Sequence, residues 1–81
     1  MIKITEVVPL RLGTGLKLAF TPSAHETEEF NQWAEQVNCT EYVYIGSIIR
    51  DDYFEVNEDP ALIIRAKAPD SVLSMCLIKW Q

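Results

Sequence analysis

Basic residues, cysteine, histidine and long apolar runs are all scarce in this sequence. Seven lysines and arginines stand against twelve acidic residues, which gives a net charge of −5, and the basic residues are scattered along the chain. Because nucleic-acid binding needs clustered lysine and arginine, we expect no nucleic-acid partner. No apolar run approaches the roughly eighteen residues of a membrane span, and the N-terminal segment lacks the features of a secretory signal. We therefore expect a cytoplasmic protein with no membrane partner.

The two cysteines and the single histidine do not suggest a catalytic or metal site. Cys39 and Cys76 are too few for a disulfide framework, so we expect reduced, largely buried thiols. A metal site needs three or four converging ligands, but His25 has only glutamates near it at helical spacing. Cys39 is expected roughly 20 Å from His25 at the far end of a helix, and burial blunts a thiol such as Cys76. We expect no catalytic residue, no metal and no cofactor.

The segment Thr21–Val37 is predicted to be the one amphipathic helix. Two starts fit the sequence, either Thr21 followed by a proline or Ser23 with Glu26 in an S-x-x-E capping box. Asn38 tolerates the left-handed conformation that ends many helices. The apolar stripe, at three- and four-residue steps, consists of Thr27, Phe30, Trp33, Ala34 and Val37.

Short segments rich in β-branched and aromatic residues predict strands on both sides of this helix. A first turn is predicted at Leu12–Gly15, a second at Asp51–Asp52, and a loop at Asn57–Pro60. The six predicted strands are Ile2–Leu10, Leu16–Phe20, Glu41–Arg50, Tyr53–Val56, Ala61–Lys67 and Ser71–Trp80.

Two of these strands have a helical alternative. An aspartate and a proline precede Ala61–Lys67 and could open a short helix, but the paired isoleucines and the short length favour a strand. Asp70 could likewise cap a helix over Ser71–Trp80. Because that segment is apolar on both sides of an alternating pattern, we interpret it as the last strand.

The predicted fold class is α+β, as one small domain over residues 1–81 with a single antiparallel sheet (β-β-α-β-β-β-β) and one amphipathic helix packed on one face. A helix covers a band about 10 Å wide, while strands lie about 4.8 Å apart, so one helix shields two or three strands. Several predicted strands are apolar on both faces, which would leave a large exposed patch on a monomer. Either the sheet curls around its own core or a second chain covers it, and we favour a symmetric homodimer through the sheet.

The acidic segment Asp51–Asp59 is the one feature that resembles a site for a hard cation. Such ions need several converging oxygens, but the D-x-D-x-D-G register of an EF-hand is absent, and a nuclease pattern fails at Arg65. We interpret the cluster as solvated turn charges and leave cation binding open. Its members are Asp51, Asp52, Glu55, Glu58 and Asp59.

Aromatic side chains provide the candidates for an interface or a ligand site, because tyrosine and tryptophan are enriched in binding surfaces. Trp80, flanked by Lys79 and Gln81, is harder to assign to a core than Trp33 on the helix stripe. The candidate residues are Tyr42, Tyr44, Trp80, Trp33 and Phe30.

No motif points to a known family, so the expected function rests on composition and architecture. The favoured function is a small intracellular non-enzymatic binding protein, a homodimer with a protein partner, of the accessory or inhibitory type that phage and mobile elements also carry. The first alternative is a small-molecule binder with an apolar pocket between helix and sheet. A second alternative is a small enzyme with an acidic site across the dimer, against which the missing nucleophile–base pair weighs. The predicted pocket residues are Phe20, Phe30, Trp33 and Ile45.

Overall fold

The computed structural model describes the backbone of residues 1–52 and 55–81, and the side chains of residues 1–49 and 58–81. Over this part of the chain the elements are β1 (Ile4–Leu10), β2 (Gly13–Leu18), α1 (Ala24–Gln36), β3 (Val43–Asp52), β4 (Glu55–Arg65) and α2 (Asp70–Trp80). The strands form one antiparallel four-stranded sheet in the order β1-β2-β4-β3. Both helices pack on one face, because their buried residues join one cluster with residues of all four strands. The predicted α+β class with a single antiparallel sheet is confirmed, whereas the six strands and single helix are wrong.

Helix α1 begins and ends where its capping residues place it. Ser23 is the N-cap, and its Oγ accepts the N–H of Glu26 at 3.2 Å while the Glu26 carboxylate accepts the Ser23 N–H at 3.0 Å. The capping-box start is therefore confirmed, and the alternative start at Thr21 is wrong. Val37 is the C-cap, and Asn38 follows it with φ 59°, the predicted left-handed stop.

Replacement Ser23→Ala should lower the free energy of unfolding by about 1 kcal/mol, because the Glu26 N–H loses its acceptor. The Ser23 N–H also holds the pKa of the Glu26 carboxyl below its usual range. The ionised Glu26 carboxylate therefore stabilises the folded state fully at a pH above its ordinary pKa. This stabilisation is lost as the pH falls through the lower pKa of the folded state. Urea unfolding at neutral pH measures the loss of stability in Ser23→Ala. In Glu26→Gln, stability should fall less between neutral and acid pH than it does in the parent chain. Ser74→Ala, at an exposed position of α2, should change stability by less than about 0.5 kcal/mol, and equal losses would contradict the capping role.

Strands β1 and β2 are joined by a two-residue turn, Arg11-Leu12, which is shorter than the predicted turn Leu12–Gly15. Gly13 already pairs with Leu10 and has φ 141°, a conformation that L side chains rarely adopt. A Cβ at Gly13 would also overlap the backbone carbonyl oxygen of Ile64 on β4. Glycine at this position therefore lets β2 start directly after the turn. It also lets the β2 backbone lie close to the β4 backbone at Ile64.

Strand β4 is longer than predicted and has neighbours on both sides over only part of its length. It pairs with β3 from Glu55 to Ile64 but with β2 only from Ala61 onwards. The predicted loop Asn57–Pro60 is wrong, because these residues belong to the part of β4 that has β3 alone as neighbour. Pro60 has no N–H and lies just beyond the last β2–β4 pair, where the ladder to β2 has ended.

The turn predicted at Asp51–Asp52 is also wrong, since both residues belong to β3 and pair with β4. Of the predicted short strand Tyr53–Val56, Tyr53 and Phe54 lie outside the described residues, and Glu55 and Val56 belong to β4. One long antiparallel strand pair thus replaces the three shorter strands predicted here.

The segment predicted as the last strand, Ser71–Trp80, is helix α2. Val72, Cys76 and Trp80 are four residues apart and are buried together in the main core. A spacing of four residues fits both the strand period of two and the helix period of 3.6, so the pattern did not separate the two structures. Asp70 in the first turn also suits the positive end of a helix dipole.

The second face of the sheet carries a small apolar cluster, with neither α1 nor α2 over it. Ile48 is 6% exposed and Ile63 9% exposed, and Val8 and Leu10 pack against them. A Cβ at Gly15 would lie 2.6 Å from Cδ1 of Ile48, so the absence of a side chain there lets Ile48 lie across β2. These side chains therefore shield one another on the second face. Helix α2 adds cover to the first face only, so the homodimer through the sheet stays a prediction.

Candidate protein-interaction site

The five aromatic candidates do not form one site. Trp80 and Phe30 are each 1% exposed and lie in the core, with ring centroids 6.3 Å apart. Trp33 meets Trp80 edge to face, with centroids 5.5 Å apart, and is only partly buried. Because α2 directs Trp80 inwards, this residue has no surface to offer a partner.

Of the two tyrosine candidates, Tyr42 directly precedes β3 and Tyr44 is its second residue. Tyr42 is partly buried against the main core, and its backbone carbonyl accepts the N–H of Arg65 at 2.8 Å. Tyr44 is 47% exposed on the second face, and the Arg65 guanidinium lies 5.6 Å from the centre of its ring. A cation–π contact at such an exposed site contributes about 0.5–1 kcal/mol. Of the five candidates, Tyr44 therefore has the largest accessible surface, and it belongs to an edge strand.

Strand β3 is at one edge of the sheet and has unpaired backbone groups on its outer side. The Arg65 N–H donates to the carbonyl of Tyr42, so the backbone groups of Tyr42 face β4. Hydrogen-bonded pairs alternate along an antiparallel ladder, and the β3–β4 register runs without a shift. Every second residue from Val43 therefore directs its N–H and C=O away from β4. Val43 already donates to the Cys39 carbonyl at 3.0 Å, so the free part of the edge begins after it. The outward-facing residues of this part are Ile45, Ser47 and Ile49.

A groove of about 290 Å³ runs beside the same edge, between α1 and β3. Its walls are apolar at Phe30, Ala34 and Ile45, and polar at Thr27 and Asn31. A cavity of roughly 150 Å³ in a protein core can hold a benzene molecule, so this groove has room for a branched aliphatic side chain. It adds a side-chain pocket to the unpaired backbone of the edge.

Ile49 is an exposed aliphatic residue next to this groove along β3. Its side chain is 65% exposed. Because side chains alternate between the faces of a strand, Ile49 lies on the same face as Ile45 and as the helices. Ser47 lies between them and is exposed. The helix side of the edge therefore presents two isoleucines symmetrically placed about a serine. We call Ile45, Ser47, Ile49 and the α1–β3 groove the β3 edge surface.

The residues considered for catalysis or metal binding lie apart from one another. His25 is exposed on α1 beside Glu28 and Glu29. Within residues 1–49 and 58–81, no three His, Cys, Asp or Glu side chains converge to hold a metal ion. Cys39 and Cys76 are free and buried, as predicted, and burial raises the pKa of both thiols, that of Cys76 to about 12. Both thiols are therefore protonated at neutral pH.

The predicted acidic cluster is spread along two strands. Asp51, Asp52 and Glu55 occupy strand positions, and their side chains lie outside the described residues. Glu58 is exposed, and the Asp59 carboxylate lies 3.7 Å from Nζ of Lys17 on β2. A cation site in this cluster stays a prediction.

Within the part of the chain that the structure describes, the residues of the pocket predicted between helix and sheet do not share one groove. Phe30 and Ile45 line the α1–β3 groove, whereas Trp33 lines a separate groove of about 310 Å³ between α1 and α2. Phe20 is 44% exposed and lines neither groove. The α1–α2 groove is bordered by Ile78, which is 87% exposed.

Ser47 and Ile49 are absent from the sequence-based site predictions, and Ile45 was predicted only as a pocket residue. Their alternation was visible in the sequence, but alternation distinguishes the two faces of a strand and not its edges. The position of β3 at an edge depends on the order β1-β2-β4-β3, which long-range pairing determines.

No protein-family model, curated protein or solved structure matches this chain. Neither helix in the described part of the chain is long and apolar enough to cross a membrane. The function is therefore inferred from the β3 edge surface itself, where unpaired backbone, a groove and an exposed isoleucine lie together.

Proposed function

We propose that this chain is a small non-enzymatic binding protein that acts as a homodimer and makes its interactions through the β3 edge surface. The observation that carries the proposal is the row of outward backbone groups beside the α1–β3 groove. A strand that adds to a sheet edge gains main-chain hydrogen bonds, and neighbouring pockets select its side chains.

The two edges of the sheet differ in a way that supports this assignment. Strand β1, at the opposite edge, has a register shift between Ile4 and Glu6 and contains Pro9, and both features hinder the addition of another strand. Between Ile45 and Ile49, β3 has no proline, no charged residue and no register shift. Natural proteins usually protect exposed edges, so an unprotected stretch of this kind favours a binding role.

The chemistry of the described residues favours binding over catalysis. Both thiols are buried and protonated, and His25 lies on the exposed side of α1. A nucleophile needs a general base within hydrogen-bond reach. The Arg65 guanidinium, which lies over Tyr44 of β3, is a charged group beside this edge that suits recognition of a partner.

Light scattering coupled to size-exclusion chromatography tests the homodimer. At micromolar concentration we expect a mass twice that of one chain, which falls towards the monomer mass on dilution. A strictly monomeric mass across that range would overturn the proposal.

A small apolar ligand in the α1–β3 groove is the second candidate function, favoured by the volume of the groove and by its apolar walls at Phe30 and Ile45. A ligand that binds the folded state raises the melting temperature with its concentration. If the groove also takes part in the dimer contact, such a ligand should shift the mass towards the monomer. A ligand that stabilises the protein and leaves its mass unchanged would separate the two functions.

A further inference from the structure

We infer that the β3 edge surface binds the β3 edge of a second copy of this chain, antiparallel and with a two-fold axis beside Ser47. The two four-stranded sheets would then form one continuous sheet. This inference rests on the proposed homodimer and specifies where the two copies meet and in which register.

The outward backbone groups of β3 are self-complementary about Ser47. In an antiparallel pair centred there, Ser47 lies opposite Ser47 of the second copy, and Ile45 lies opposite Ile49. These residues are separated by two positions, so all of them direct N–H and C=O towards the other copy in the same register. A two-fold axis requires this self-complementarity. If Ile45 of one copy lies opposite Ile49 of the other, then Ile49 of the first copy must lie opposite Ile45 of the second.

The side chains on the helix side are complementary in the same register. Ile49 of one copy comes beside Ile45 of the other, at the α1–β3 groove and near Thr27 and Asn31 of α1. The 65% exposed side chain of Ile49 would be covered in both copies, and each α1–β3 groove would be filled. One contact therefore accounts for the exposed isoleucine and for the groove.

Charge complementarity favours the antiparallel arrangement. Asp51 and Asp52 occupy the last two positions of β3. At the other end, the Arg65 guanidinium lies over Tyr44, and Lys67 pairs with Glu41 at 3.6 Å. Antiparallel pairing places Asp51 and Asp52 of each copy at the Val43 and Tyr42 positions of the other copy, and Arg50 at the Tyr44 position, so the two acidic ends lie apart. Parallel pairing would place the acidic ends together, which like charges oppose.

The matched variants Ile49→Lys and Ile78→Lys test the contact. Both replace an exposed isoleucine and change the charge equally, but Ile78 lies on α2, away from β3. We expect Ile49→Lys to raise the dimer dissociation constant about a hundredfold, because the residue enters the interface twice. We expect Ile78→Lys to remain a dimer. Circular dichroism should show both variants folded, since neither position is buried.

A cysteine pair at the axis tests the register. In a hydrogen-bonded antiparallel pair the Cα atoms are about 5.5 Å apart, which is within the range for a disulfide. Mild oxidation should therefore convert Ser47→Cys to a covalent dimer that reductant reverses. Ser74→Cys, at an exposed position on α2, is the control and should remain uncrosslinked at the same concentration. The native thiols are buried and should not take part.

The outcomes separate this inference from the proposed function. Loss of the dimer in Ile49→Lys alone, with a crosslink in Ser47→Cys alone, supports the pairing. A dimer that survives Ile49→Lys, gives no crosslink at Ser47→Cys or dissociates with Ile78→Lys overturns the pairing and leaves the homodimer to another surface. A monomeric parent chain overturns both, and binding of an extended peptide by that monomer would show that the edge serves a different partner.

Discussion

Replacement Trp80→Ala is expected to lower the free energy of unfolding by about 3 kcal/mol, at the low end of the range for removing a buried tryptophan. Trp80 is 1% exposed and contacts Phe30 and Trp33 through its ring. Its indole N–H is buried without a hydrogen-bond partner in the described part of the chain, so the substitution also removes an unfavourable buried donor. A chain this short buries a small core, and a loss of this size is a large part of the about 5–15 kcal/mol typical of domains.

Urea unfolding of Trp80→Ala and Ile78→Ala measures this effect against a matched control in the same helix. Ile78 is two residues away and 87% exposed, so its replacement should change stability by less than about 0.5 kcal/mol. In a strand, residues two positions apart point to the same side. Similar losses at the two positions would therefore indicate a strand and contradict α2.

Replacement Gly13→Ala is expected to lower the free energy of unfolding by about 3 kcal/mol, from backbone strain and overpacking together. The backbone at Gly13 has φ 141°, and a new Cβ would overlap the carbonyl oxygen of Ile64. Relief of this overlap requires β2 and β4 to separate, because the obstructing atom belongs to the backbone. The substitution should therefore weaken the pairing of β2 with β4 at Thr14 and Ile64.

Gly46→Ala is the control for Gly13→Ala, because both add one methyl group to a strand glycine. A Cβ at Gly46 would approach Cγ1 of Ile63 at 3.1 Å and Cε2 of Tyr44 at 3.2 Å. Both obstructing atoms belong to side chains that can shift, so we expect a loss of about 1 kcal/mol or less. Thermal or urea unfolding compares the two variants, and a larger loss at Gly46 than at Gly13 would contradict the described turn.

The elements that the sequence predicted correctly are those whose local signals agree. Helix α1 has a capping box at Ser23, an apolar stripe and a left-handed stop at Asn38, and each signal depends only on neighbouring residues. Helix α2 lacks such agreement. Its N-cap, Pro69, makes no side-chain hydrogen bond, and its buried positions fit two periodicities. The polar segment before Ala61 resembled a loop because the sequence does not show that β3 lies beside it.

The candidate site was less predictable than the fold. Tyr44 and Trp80 were both predicted as interface or ligand-binding candidates, but Tyr44 is 47% exposed and Trp80 only 1%. The burial of Trp80 depends on the direction of α2, which the sequence pattern did not determine. Ser47 and Ile49 could not be recognised as edge residues before the strand order was known. An edge is a property of the whole sheet, and local patterns report only its two faces.

Amide hydrogen exchange along β3 tests most directly whether its outer side is paired. The amides of Gly46 and Ile48 face β4, so they should be protected at every protein concentration. The amides of Ser47 and Ile49 face outwards. We expect them to be protected when the protein is concentrated and to lose that protection on dilution, in step with the fall in mass. Free exchange of Ser47 and Ile49 at all concentrations, with Gly46 and Ile48 still protected, would contradict strand addition at this edge.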